Sequence, residues 1–416
     1  MSFIKQLMDI QINTTTTITT EQAFDINYTF DEDELCGTLT FGLPYDNVVS
    51  ADGSIVNYKN LQRYAKVWGY AKMFDSSPGI VETKDLTKYF TGYINKITLT
   101  KTKEAYTYTI ECFGTLGMAN ERSVAEWNET VSGISAINLL FERAGLNDEF
   151  PPSSIINGLV VDGQQMVINW SGEKLLKDIL IKLKEDYGIK VHQQGDGKVR
   201  VWDPIIYVNP TEDSKKTVWS FTLGDNIFKI DYGDLTRSIN MVTVIFGTGL
   251  VNNPHNTATA VDFTNLQLKA ASAGKNTTIF DRSLYSNKIV YRRDLTDPSE
   301  AYRVAANTLL DYSKSQVIEI KVPFNAEYKI TDFILLNDGE RYQNTFMQIW
   351  HVASSISKDG DVSTTLKCSS SVLGTQPVKF VENYQGITDI RPLQDSGLIT
   401  SADLQDKTWE GGIIIT

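Results

Sequence analysis

The residues best suited to chemistry are sparse and poorly spaced for it. His192, His255 and His351 stand far apart, so no pair occupies one helix turn as a zinc protease requires. A serine nucleophile held on a sharp turn needs a GxSxG segment, and none occurs. A phosphate loop would need glycine where Lys269 stands and serine or threonine where Asn276 follows Gly274 and Lys275. Gly247 and Gly249 follow an apolar run, but Leu250 and the asparagine-rich residues after it do not make a phosphate-binding helix. Glu121, Glu126 and Glu129 beside Trp127 are the carboxylates a glycosidase would draw on, although surface charge near a domain boundary accounts for them as well. The run Asp31 to Glu34 offers oxygen ligands to calcium, yet four consecutive carboxylates also mark a turn between strands. Cys36, Cys112 and Cys368 match no zinc spacing and read as small buried hydrophobes in a protein made in a reducing cytoplasm. We assign no catalytic, cofactor-binding or metal-ligating residue from the sequence.

Composition narrows the field further. The chain has 416 residues, 41% apolar and 22% charged, and a net charge of −12. That charge argues against an outer surface that grips nucleic acid, which needs clustered Lys and Arg. The densest basic group, Lys174, Lys177, Lys182 and Lys184, is interleaved with Glu173, Asp178, Glu185 and Asp186, as on a solvated helix face. An acidic chain is compatible with a pore through which DNA slides without sticking. The N-terminal residues lack the apolar core of a signal peptide, and no apolar run approaches the ~18 residues of a membrane span.

These residues must be held mainly by strands. Phe24–Phe30 alternates apolar and polar residues, as does the pair Tyr89–Leu99 and Ala105–Cys112, joined by charged Lys101–Glu104 as a hairpin. Residues 46–85 read as an insertion between strands, with the apolar stretch Tyr64–Phe74 inside it. The period changes near residue 130. Ile134, Ile137, Leu140, Phe141 and Ala144 follow Ser132 at helical spacing, and Gly145 ends that helix. Ser171 is expected to cap a second helix with Leu175, Leu176, Ile179, Leu180, Leu183 and Tyr187 on one face. Gly195 to Gly197 turns a hairpin. Strands return at Val218–Leu223 and Met241–Phe246, and residues 248–280 read as a second insertion. Asp297, Pro298 and Glu300 start a third helix that runs to about Tyr312. The expected division is a first β-domain at 1–122, an α/β insert of two small units at 123–214, a second β-domain at 215–374 and an extension at 375–416. The fold class is α+β, mainly β.

Two further patterns bear on function. The hairpin holding Ile94, Ile97, Tyr108, Ile110 and Cys112 is echoed by one holding Ile349, Val352, Thr364, Leu366 and Cys368. Residues 375–416 combine scattered Gly and Pro with short apolar groups. Trp409 and Ile413, Ile414 and Ile415 are the candidate anchor of an arm that packs on a neighbouring subunit or partner.

Taken in order, the segments resemble the baseplate hub proteins of phage tails, a broad family that includes late-control D proteins and the hubs of PBSX-type defective phages. Its type VI secretion relatives carry the hub fused to a spike. The residues carrying the resemblance are Leu39–Pro44, Phe90–Ile94 and Tyr106–Gly114 for the first β-domain, then Ser135–Gly145, Trp170–Leu176, Tyr187–His192 and Gly197–Trp202 for the insert. Leu223–Ile227, Tyr232, Leu235, Ile239–Val244 and Ala301–Leu310 continue it, over about residues 20–370. The two insertions and the extension depart from the pattern. The resemblance implies two tube-like β-barrels per subunit, repeated in a homotrimer to give a pseudo-sixfold ring. It implies a structural role without catalysis or cofactor: the hub adapts the sixfold tail tube to the threefold central spike and forms part of the channel for DNA or effectors. The implied partners are other copies of the chain, the tail tube or distal tail protein, the central spike and the tape measure protein. DNA passes without specific binding, and the protein does not insert stably in a membrane. The implied location is the tail baseplate of a virion, after synthesis in the bacterial cytoplasm. Two other classes fit the same composition: a tail-associated cell-wall hydrolase, and a receptor- or glycan-binding tail module.

Overall fold

The computed structural model describes residues 7–12, 16–19, 23–44, 48–49, 55–56, 61–72, 87–102, 106–158, 165–187, 189–202, 218–233, 239–247, 256–261, 286–292, 295, 298–313, 317–356, 362–369, 380–383 and 386–387. Mainly β architecture is borne out. One 13-stranded sheet dominates. Its strands are β1 (Leu7–Ile12), β2 (Thr16–Thr19), β3 (Phe24–Asp31), β4 (Thr38–Pro44), β5 (Lys66–Lys72), β6 (Thr87–Lys101), β7 (Tyr106–Gly114), β8 (Val218–Thr222), β9 (Lys229–Tyr232), β10 (Val317–Pro323), β11 (Phe333–Asn337), β12 (Thr345–Ile356) and β13 (Val362–Ser369). Alternation sets which face each strand buries. In β3, Ile26, Tyr28 and Phe30 turn inward between exposed Asp25 and Asn27; in β7, Tyr108, Ile110 and Cys112 do the same.

The sheet order is β9-β10-β13-β12-β3-β4-β7-β6-β5-β1-β2, with β11 also paired to β12 and β8 to β11. Two five-strand units emerge from it. Strands β3 to β7 lie in the order first, second, fifth, fourth, third, and β9 to β13 repeat that order. The hairpin echo in the sequence is borne out at the level of register. Ile94 pairs with Cys112 and Ile349 with Cys368, and in both hairpins the register shifts at the next residue of the long strand. Tyr64 and Thr331 both hold positive φ, 69° and 76°. Their N–H groups donate to the carbonyls of Ile94 and Ile349, each at 2.8 Å. Such backbone costs on the order of 1–3 kcal/mol for a residue other than glycine, so its recurrence at equivalent places marks a structural repeat and not a coincidence of hairpins. Through the registers, Tyr28 matches Tyr232, and Pro44 matches Pro323.

The two repeats join edge to edge, β3 to β12, and share one hydrophobic core. The sheet does not close into a barrel among the described residues. Several details differ from expectation. Segment 46–85, expected as an insertion, supplies β5, whose Val67 and Ala71 are fully buried. Met241–Phe246 does not enter the large sheet. It pairs with Asn256–Val261 and Asn287–Arg292 in a five-stranded sheet that also takes Phe380–Asn383 and Gly386–Ile387. Helix α3 (Pro298–Ser313) closes that sheet's own core with Ala301, Ala305 and Leu309. Part of insertion 248–280 and the start of extension 375–416 thus have strand partners.

The insert has a separate core. Helix α1 (Gly133–Arg143) ends at Gly145, which holds φ of 68° as a left-handed cap. Helix α2 begins at Leu176 and runs to Tyr187 rather than starting after Ser171, because Lys174–Leu175 pairs as a strand with Ser123–Val124. Leu175 is therefore exposed, while Leu176, Ile179, Leu180 and Leu183 are buried.

Candidate assembly interface

The carboxylates and cysteines that sequence chemistry singled out make structural contacts where they are described, whereas His255, Gly249, Lys269 and Gly274–Asn276 lie outside the described residues. Glu121 accepts hydrogen bonds from Arg63 and from the Tyr64 hydroxyl, both at 2.9 Å. Glu129 faces Arg143 at 3.5 Å, and Glu126 is exposed. Trp127 is buried edge-on against Trp170, with the Arg143 guanidinium 4.4 Å from its ring centre. Two of the three carboxylates are thus paired to arginines on different elements. Cys112 and Cys368 lie in the core of the large sheet, where burial raises both thiols well above their ordinary range. No group of three or more His, Cys, Asp or Glu side chains placed to hold a metal occurs among the described residues.

The run Asp31 to Glu34 is a turn, and its carboxylates clamp three parts of the chain together. Asp31 meets His351 of β12 at 2.9 Å. Glu32 pairs with Lys190 of the insert at 2.8 Å with both side chains only 4% exposed, and Asp33 reaches Lys184 at 2.8 Å. The Glu32 N–H donates to the Trp350 carbonyl at the bulge of β12. Nothing in the alternation announces this, because Lys190, Val191, His192 and Gln193 are all buried and the strand has no exposed face. The Gln193 side chain accepts from Leu116 N–H at 2.7 Å and donates to the Thr91 carbonyl at 3.0 Å. Gly195 lies so close to β6 that a Cβ there would stand 2.1 Å from the Tyr89 carbonyl oxygen. Arg200, on the same hairpin, donates to Thr331 of the second repeat. One insert hairpin thus spans both repeats.

His192 sits at the centre of this junction. Its Nδ1–H donates to the Glu34 carbonyl at 2.7 Å, and burial lowers its pKa to about 4, so the ring stays neutral. Asp332, at the equivalent of Ala65 in the first repeat, has its pKa raised to about 6 by burial, although Trp219 Nε1–H donates to it at 3.0 Å.

Exposed apolar side chains gather elsewhere, at strand ends and free edges: Leu99 and Tyr106 on the β6–β7 hairpin, Leu223, Phe228 and Tyr232 along β8–β9. Edges of this kind invite another strand. The anchor residues expected at Trp409, Ile413, Ile414 and Ile415 lie outside the described residues.

No family model matches the sequence, and no curated protein matches it. Solved structures do. A tail protein from Neisseria meningitidis superposes with a TM-score of 0.63 at 10% identity, covering 89% of this chain and 98% of that one. A 43 kDa tail protein of prophage MuSo2 from Shewanella oneidensis gives 0.57 at 14% identity, covering 88% and 99%. A prophage tail protein from Listeria monocytogenes gives 0.51 at 11% identity, covering 87% and 94%. At such low identity the likeness is one of architecture, and it extends over nearly the whole length of all three: the chain has the fold of phage-type tail proteins.

Proposed function

We propose that this chain is the structural baseplate hub of a phage or phage-like tail. The observation that carries the reading is the internal repeat: two five-strand units of identical strand order in one chain. Three copies would present six equivalent units toward a sixfold tail tube and still keep threefold symmetry toward a central spike. Each unit, joined to its neighbours, would form part of a tube-like wall around a channel for DNA or effectors. The partners are then other copies of the chain, the tail tube or distal tail protein, the spike and the tape measure protein, and the location is the virion baseplate.

The role needs no catalysis. Glu121 and Glu129, which a hydrolase would draw on, are paired to arginines, and the fold is that of tail proteins along nearly the whole chain. Electron microscopy of the purified protein should give rings with threefold symmetry and a central channel lined by neutral or acidic side chains. Particles that stay monomeric at micromolar concentration would overturn the reading. Peptidoglycan clearing in a zymogram would favour a hydrolase instead, and selective binding on a glycan array a receptor-binding module.

A further inference from the structure

We propose that successive copies of the chain are joined by a strand seam in which β9 of one copy pairs antiparallel with residues 96–101 of β6 in the next, Tyr232 opposite Leu99. The proposal rests on the ring reading above and names its contact. It follows from the repeat itself. Inside the chain, the first strand of repeat one, β3, pairs with the second half of the fourth strand of repeat two, β12, from His351 opposite Asp31 to Ile356 opposite Ile26. The same two edges occur once more, without a strand partner among the described residues. Beyond Ile94, the side of β6 away from β7 has no strand partner among the described residues. Among the described residues, the first strand of repeat two, β9, pairs only with β10 and ends the sheet. A second copy is the occupant that fits, because it offers to each open edge the mate that the equivalent edge already has within the chain.

The register transfers residue by residue. Ile349 and Ile94 are equivalent, as are Tyr28 and Tyr232, so the internal pair of Ser354 with Tyr28 becomes Leu99 with Tyr232. Burial agrees with it. Ser354 and Tyr28 are each 3% exposed at the internal seam, whereas Leu99 and Tyr232 are 50% and 40% exposed at the open edges. Pairing would cover these two on the core face. Ser355 opposite Asn27 is the next pair and points to solvent on the other face. Its counterpart is Thr100 opposite Asp231, both also exposed. An open edge with half-exposed apolar side chains is an aggregation hazard, and a ring closed by this seam removes it with cyclic symmetry.

The test uses the full chain with Thr100→Cys and Asp231→Cys together, positions where no core contact is lost. Mild oxidation should link neighbouring copies into closed covalent rings. Directly opposed strand residues allow a disulfide, whereas a two-residue slip places Cα atoms more than about 7 Å apart, so linkage should exceed that of Thr100→Cys with Lys229→Cys about tenfold. The wild-type chain and each single variant should give no ladder. Leu99→Lys should abolish ring formation in sedimentation while leaving the melting temperature of the monomer unchanged. A ring that forms without linkage at this pair, or whose Thr100→Cys links to a different tail protein in assembled particles, overturns the seam and leaves the hub reading standing. A chain that never leaves the monomer overturns both.

Discussion

The two repeats share a strand order but not their surroundings. In the first, β3 passes into β4 through the short acidic turn 32–37, and that turn is locked by Lys190, Lys184 and the Trp350 carbonyl. In the second, the equivalent link from β9 to β10 spans residues 233–316 and carries a separate sheet with α3 packed on it. One first strand is thus sealed inside the chain and the other is left at the end of the sheet. A repeat copied without change would have two equal edges. Here the sealed edge joins the two repeats within the chain, and the other edge is the one the proposed seam would use. The largest test of this asymmetry is the clamp. Glu32→Gln removes the charge paired with buried Lys190 at 2.8 Å, while Asp33 stands farther off at 3.9 Å, and should cost about 3–5 kcal/mol in urea unfolding. Replacing both, Glu32→Leu with Lys190→Met, should restore most of that loss. If the single change is neutral, the insert does not seal the first repeat.

The second test lies in pH. His192 holds the turn of the first repeat through the Glu34 carbonyl, and its folded pKa of about 4 lies below the ordinary 6.5. A depressed folded pKa means that the unfolded chain takes up the proton first. The stability that the neutral ring contributes is present above about 6.5 and is lost as pH falls toward 4, amounting to on the order of 3 kcal/mol. Unfolding curves of His192→Gln should therefore lack that slope between pH 7 and 4. Asp332 has the opposite sign. Its folded pKa of about 6 lies above the ordinary 3.8, so its contribution is fully present below 3.8 and fades as pH rises through 6. Asp332→Asn should remove roughly 3 kcal/mol of that dependence. The first repeat has Ala65 at this place and should contribute no such term from that position.

How far these features were legible in the sequence depends on the range of the contacts behind them. Alternation in Phe24–Phe30 and in both hairpins is a local consequence of one buried face, and it fixed the strands. The echo of Ile94 and Cys112 by Ile349 and Cys368 was readable because a bulge at one place imposes the same spacing on both hairpins. The Pro298 helix start was readable for a similar local reason. By contrast, Lys66–Lys72 has Lys at both ends and Gly69 in the middle, and becomes a strand because β1 and β6 flank it. The strand Lys190–Gln193 buries every side chain, so no period shows. The clamp joins residues 158 positions apart, and no local pattern encodes it. Equivalence of the echoed residues has its own measure. Ile94→Val and Ile349→Val, each fully buried, should cost about 1 kcal/mol apiece, the two values agreeing closely. A large disparity would mean that the repeats share topology without sharing packing.

The smallest expected effect on stability separates fold from assembly at the C-terminus. The sequence ends the second β-domain at residue 374 and reads 375–416 as an arm. Within that segment, Phe380–Val381–Glu382 pairs with Thr257–Thr259 at an edge of the five-stranded sheet. Deleting residues 376–416 would open that edge and lower stability for a reason unrelated to partners. Deleting residues 388–416 removes no described strand and should leave the melting temperature within about 1 °C, because no buried core residue of the described sheets is lost. If Trp409 and Ile413–Ile415 anchor an arm on a neighbouring copy or on the spike, the shorter deletion will still weaken ring assembly or spike attachment in pull-down. Trp409→Ala alone will reproduce most of that loss, since a large aromatic commonly dominates such contacts. A chain lacking 388–416 that assembles and holds its spike as the full chain does would assign assembly to the strand edges alone.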